Sequence, residues 1–225
     1  MERAVRGPNQ ESGRAQANYQ VQGMRQGQGA TKPFAVSLSF PGGIVRARHL
    51  HQAKTIMTSP LYNASVPVLK QMLSAMSDVL KKAEDHATAK NIDPQAYLGA
   101  RLFPDMFPLI RQVQIATDFA KGIASRLAGA EVPSWENTET TFADLQALIA
   151  KTLAHVDSFD PAQFEQSEAR EIVLRPGTPK EKKLSGSAYL LHYGLPQFFF
   201  HVTTAYAILR HNGIEVGKRD YMGAY

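Results

Sequence analysis

The segment Leu195–Asn212 reads as a helix that is apolar on two sides, and this constrains the fold more than any other feature. Pro196 suits a first turn, where its missing N–H costs nothing. Gly213 follows as the left-handed cap, with Arg210 and His211 in the last turn, where cations favour the negative end of the dipole. At roughly 100° per residue, Phe198, Val202, Tyr206 and Leu209 form one stripe. Gln197, His201, Thr204, Ile208 and His211 fall on a second side. Such a helix is buried on both sides, so a second partner or a cavity lies against the His201 side. The wider stretch Leu184–Leu209 carries no charged residue and is long enough to span a bilayer. It also holds Ser185, Ser187, His192, Gly194, Pro196, Gln197, His201, Thr203 and Thr204, which fits a soluble buried helix with a polar pocket better than a membrane span.

Three more helices can supply that burial. Val66, Leu69, Leu73, Met76 and Leu80 recur at three- and four-residue steps, which predicts a first helix over Leu61–Ala89, with Pro67 in or kinking its first turns. Leu109, Val113, Ala116, Ala120 and Ile123 predict a second, from Pro104 or Asp105 to Leu127, with Arg111, Gln114, Asp118, Lys121 and Ser125 as its polar side. Thr141 and Asp144 have capping-box spacing at the head of a third, Thr141–Ser158, in which His155 reads as a surface residue. Arg170–Leu174, a Pro-Gly turn and Lys182–Ser187 read as a hairpin between the third and fourth helices. With no βαβ rhythm, the pattern is all-α: a four-helix bundle with one small β excursion.

Charge separates the bundle from what precedes it. Residues 1–56 hold eight lysines and arginines against two acids, whereas residues 57–225 hold 17 against 18. The overall +5 therefore belongs to the N-terminal segment, and the near-neutral remainder requires no nucleic-acid face. Residues 1–56 are rich in Gln, Gly, Arg and Ala with little hydrophobic periodicity, as expected of a disordered basic extension or of sequence upstream of a natural start near Met57. Their Arg-rich, acid-poor composition also resembles an organelle transit peptide weakly. The alternating patch Phe34–Phe40 has no hairpin partner, and His49 and His51 read as solvated. The chain has no cysteine, which excludes disulfides, thiolate nucleophiles and zinc fingers. A soluble, cytoplasmic protein whose domain covers residues 57–225 is expected.

Site candidates cluster on the fourth helix. His201 is either a core histidine satisfied by a carbonyl or carboxylate, or an acid/base group or metal ligand. A helical metal pair wants histidines at i and i+4, and those positions hold Gln197 and Ala205. His192 lies before a Gly194–Pro196 break that leaves its direction open. Gln112, at the flank of the second helix's stripe, is placed to reach the interior, either for an interhelical hydrogen bond or for a ligand. Tyr189, Tyr193 and Tyr206 are core tyrosines or pocket hydroxyls. Lys218 and Arg219, beside Asp220, form either an anion site or salt bridges that pin the tail.

The segments LYNASVPVLKQML, ARLFPDMFPLIRQVQIATDFAKG and YGLPQFFFHVTTAYAILRHNGIEVGKRDYMG resemble a family of domains of unknown function in the DinB/YfiT-like superfamily of metalloenzymes. The resemblance covers about residues 57–223. It implies a four-helix bundle, a tendency to dimerise, and a divalent metal at one end held by three histidines, one from the second helix and an i, i+4 pair from the fourth. Better-known members resemble bacillithiol transferases and mycothiol-dependent maleylpyruvate isomerases, so it also implies thiol-linked transfer or isomerisation. By position, the second histidine of the pair matches His201, the first falls on Gln197 and the second-helix ligand falls near Gln112. Two of the three ligands are thus amides, far weaker toward zinc or nickel than imidazole. Three functions are expected of this pattern. One is a bundle that binds or transforms a small organic molecule at a degenerate metal site, lined by Gln112, His192, Gln197, His201 and Tyr206. The others are a metal-dependent transferase using His201 and His192, and a non-enzymatic homodimer.

Overall fold

The computed structural model describes residues 59–225; the expectations for residues 1–56 lie outside the described residues. The elements are α1 (Pro60–Asn63), α2 (Val66–Lys90), α3 (Pro94–Leu98), α4 (Leu109–Ala128), α5 (Phe142–Asp157), a 3-10 turn (Pro161–Phe164), β1 (Glu171–Leu174), β2 (Lys182–Ser185), α6 (Gly186–Tyr189), α7 (Leu195–His211) and α8 (Lys218–Met222). Four of them, α2, α4, α5 and α7, form the expected bundle. Around the core, α4 packs on α7 and α5, α5 packs on α2, and α2 closes the ring on α7. Leu69 and Leu73 of α2, Val113 and Ile123 of α4, Leu145 of α5 and Phe198 of α7 are fully buried at its centre.

Local chemistry sets the ends. The first predicted helix is split: α1 stops at Asn63 and α2 starts at Val66, because Pro67 lacks an N–H and its ring clashes with the carbonyl four residues back. The second starts at Leu109, later than expected, because Pro108 pushes Phe107 away from helical backbone and stands as the N-cap. The capping box on α5 is present: Thr141 Oγ1 accepts from Asp144 N at 3.1 Å, and Asp144 Oδ2 accepts from Thr141 N at 3.0 Å.

One expectation needs correction. The α-helix of helix four begins at Leu195 as expected, but no break precedes it. A π-turn over Leu190–Gly194, closed by Leu195 N–H donating to the Leu190 carbonyl, joins α6 to α7 without a break. The wide turn relieves the crowding that Pro196 would cause inside a regular helix. Gly194 is required there, since a Cβ would lie 2.9 Å from Ile123 of α4. The polar side of α4 forms as expected, and much of it is covered. Gln114, Lys121 and Ser125 are buried: the segment 131–140 meets Gln114 and Lys121, and Ser125 Oγ meets His155 of α5. Gln114 Nε2 donates to Glu139 Oε2 at 2.9 Å, Asn137 Nδ2 donates to Asp118, and the Trp135 ring lies beneath both Lys121 and Lys151.

The hairpin forms as expected, antiparallel with Ile172 opposite Leu184 and Leu174 opposite Lys182. Ile172 and Leu174 join the core and Leu184 packs against it. Directly opposed residues share a face of the sheet, so Lys182 stands on this inner face, at its open end. Among the described residues, no helix is long and apolar enough to cross a membrane.

Candidate functional site

The candidate site lies at the α4–α7 seam. Gln112, 1% exposed, sits in the first turn of α4, and His201, 8% exposed, sits mid-way along α7. Gln112 Nε2 donates to the Phe107 carbonyl at 3.0 Å, and Gln112 Oε1 lies 2.7 Å from His201 Nδ1. This short chain fixes a tautomer. A backbone carbonyl only accepts, so the amide nitrogen must face Phe107. The amide oxygen then faces His201, and Nδ1 must carry the proton. Nε2 is left with its lone pair. It has no protein partner, yet no buried side-chain nitrogen or oxygen among the described residues is unpartnered, so Nε2 reaches solvent.

The ring itself is boxed. Phe119 stacks on it with centroids 5.9 Å apart, and Phe200 meets it edge-on at 5.2 Å. Phe119 also meets Tyr193 at 6.0 Å, and Tyr193 stacks on Tyr189. Burial pushes the His201 pKa below the ordinary histidine value, and the Arg111 cation pushes it the same way. His201 is therefore a neutral imidazole near pH 7 with one accessible basic nitrogen.

One turn earlier along α7, at Gln197, is a cleft of about 240 Å³ lined by Leu174, Arg175, Lys180, Lys182, Tyr193 and Gln197. Gln197 lies one turn before His201 on the same face of α7. Tyr193 reaches the histidine through Phe119. Exposed apolar side chains flank this end, Phe107 at 56% and Phe200 at 54%.

The structure thus brings Gln112 and His201 into contact, with Gln197 one turn away on the same face of α7, and sets the other candidates apart. His192 is exposed on the π-turn, nine residues before His201, about 13 Å along a helix. That separation leaves no shared ligand position for the two histidines. Tyr206 lies on another side of α7, where its ring meets Tyr221 at 5.5 Å and its hydroxyl accepts from Arg210. Lys218 and Arg219 are exposed on α8, past the far end of α7. The tail is pinned instead by Asp220, which meets Lys82 at 2.6 Å. Tyr189 is buried, its hydroxyl accepting from Arg126 at 3.2 Å. His155, expected at the surface, is half-buried between Trp135 and Phe159 and bonded to Ser125 Oγ at 2.9 Å.

Sequence reasoning passed over Phe119, Arg111 and the hairpin cations. Phe119 is seven residues after Gln112, two helical turns on the same side, which is a usable signal. The run RPGTPKEKK is visibly basic, but nothing in it says which lysine faces the bundle.

The donor set can be compared with the metal centre that the resemblance implies. Among the described residues, no three His, Cys, Asp or Glu side chains come together to hold a metal ion. Both polar atoms of the Gln112 amide are already engaged, by His201 and Phe107. One imidazole nitrogen and the Gln197 amide remain, fewer than the three protein ligands of a catalytic zinc site. The residues present do not fit a three-histidine centre.

Known proteins match the fold described above. The family model described as Domain of unknown function (DUF1993) matches residues 61–222. A crystal structure of a DinB family member protein from Shewanella denitrificans is 41% identical, with a TM-score of 0.69, over 73% of this chain and 93% of that one. No curated protein matches. The resemblance noted from three sequence segments is thereby shown, and the chain belongs to the DUF1993 family of domains of unknown function, within the DinB-like fold superfamily.

Proposed function

We propose that the protein binds a small organic molecule at the α4–α7 end of the bundle, with His201 Nε2 as the acid/base group that meets it. One observation carries this reading. The Phe107–Gln112–His201 chain holds a buried imidazole in one tautomer with a single basic nitrogen open to solvent. A base pre-set in this way needs no reorganisation before it accepts a proton. Gln112 positions His201 and does not touch the ligand, whereas Gln197 and Tyr193 line the adjoining cleft. Nitrogen-detected NMR of the histidine rings tests this. The expected result is an Nδ1-protonated, neutral His201 at pH 7, with that signature lost in Gln112→Leu. A protonated Nε2, or a pKa above the ordinary value, overturns the reading.

Metal content of protein purified without chelator discriminates the metal-dependent transferase. Near-stoichiometric metal that disappears in His201→Ala would replace acid/base chemistry with Lewis-acid chemistry at the same nitrogen.

A second reading, a homodimer formed through this end, is favoured by the exposed Phe107 and Phe200 beside the site. Light scattering of wild type and Phe200→Glu tests it: a dimer split by the substitution supports the interface, and a monomeric wild type removes it.

A further inference from the structure

We infer that the cleft between the hairpin and α7 holds an anionic group, carboxylate or phosphate, of the molecule that meets His201; this rests on the small-molecule reading of the site. Arg175, Lys180 and Lys182 line the cleft, and no acid lines it. None of the three forms an ion pair among the described residues. The nearest acids in sequence are turned elsewhere. Glu181 accepts from the Gly177 N–H, and Glu171 pairs with Lys183 at 3.8 Å.

The hairpin provides its own contrast. Lys183 stands on the outer face opposite Val173 and has an acidic partner; Lys182 stands on the inner face opposite Leu174 and has none. Every other inner-face side chain of the two paired strands except the terminal cation is apolar: Ile172, Leu174 and Leu184. Arg175 adopts φ +53°, in the left-handed region that residues with a Cβ rarely occupy. The other non-glycine case among the described residues is Asn91, a helix cap that needs no further account. The disfavoured backbone at Arg175 falls in the turn that brings Arg175 and the two lysines to one cleft, where its carbonyl accepts from Thr178. Three unpaired cations beside Gln197 and Tyr193 match a carboxylate or phosphate, which guanidinium and ammonium groups bind through charge-assisted hydrogen bonds.

The test is an amide and histidine-ring NMR titration of the full chain with inorganic phosphate and, separately, with succinate, at constant ionic strength and with chloride as the control. The expected result is a saturable response in residues 175–182 and Gln197, weakened about tenfold by Lys182→Glu and unchanged by Lys183→Glu. The anion that saturates at the lower concentration identifies the group. A response that never saturates, or that Lys183→Glu weakens as much as Lys182→Glu, overturns the inference. His201→Gln separates the two proposals. Anion binding is expected to survive it, and a wild type that binds the anion but lacks the Nδ1-protonated signature sinks the acid/base reading alone. Absent anion binding with an intact tautomer signature sinks this inference alone.

Discussion

Two excursions leave the bundle near α4, and they are built in opposite ways. The segment 131–140 is stitched down along its length: Trp135 under two lysines, Asn137 on Asp118, Glu139 on Gln114 and the Thr140 carbonyl on Gln95. The cations it covers are matched: Lys121 of α4 has Asp118 at 2.8 Å as well as the indole, and Lys151 of α5 has the indole. The hairpin is anchored by the apolar part of its inner face, and three of its cations, Arg175, Lys180 and Lys182, line a cleft without an acidic partner among the described residues. The contrast separates a structural clasp from a surface held ready for a ligand. Paired charges spend their interaction inside the protein; unpaired ones keep it for whatever arrives.

The largest expected effect tests the clasp. Trp135→Ala should cost about 2–3 kcal/mol in urea unfolding, since it opens a partly buried space and strips Lys121 and Lys151 of their aromatic partner. A cost under about 0.5 kcal/mol, the level of an ordinary surface change, would erase the contrast between the two excursions. Gln112→Leu comes next, at about 2 kcal/mol, because it leaves the His201 Nδ1–H unpaired in a buried setting. Thr141→Ala, at the α5 cap where the stitched segment ends, should cost about 1 kcal/mol by the same measurement. Lys180→Ala and Lys182→Ala should each change stability by less than about 0.5 kcal/mol, because no partner is lost. A larger loss would mean that the hairpin is a clasp too.

Acidity sharpens the comparison further. His155 lies under the stitched segment and His201 beside the cleft, and burial lowers both pKa values, with Lys121 and Arg111 as the respective second causes. As pH falls through about 6.5, the unfolded chain takes up protons that the folded chain resists. Stability is therefore full above that pH and declines as pH falls toward the folded values. His155→Gln and His201→Gln should each flatten part of this decline. A decline unchanged in either variant would show that the altered histidine is not among those responsible.

Much of the fold was legible because it rests on periodicity and caps. The Phe198, Val202 and Leu209 stripe, the Thr141–Asp144 box and the hairpin around its Pro-Gly turn all follow from local rules. Tertiary packing hid the rest. Gly194–Pro196 satisfies every local rule for a helix start, but burial of Leu190 and the Gly194–Ile123 approach hold the helix together through it. Lys121 and Ser125 read only as part of a polar side; what covers them, Trp135 of a loop and His155 of α5, leaves no periodic signal in α4. At the site, Gln112 and His201 both stand out in the sequence. Their hydrogen bond leaves no local signal, since it depends on how two helices meet across a separation of 89 positions. Tyr206 and His192 were grouped with them by proximity in sequence, which a helix distributes over different sides.

The π-turn has one more consequence. Gly186, Leu190, Gly194, Phe198 and Val202 are all buried, a run with a strict four-residue beat. In an ideal α-helix that beat drifts by about 40° each step, or about 160° over the run. The wide turn slows the winding and absorbs part of the drift, as a leap day keeps a calendar on the season. It lets one helix hold Leu190 in the core and still deliver His201 to Gln112 two turns past Gly194. A chain one residue shorter between Leu190 and Gly194 would have to give up one of those appointments.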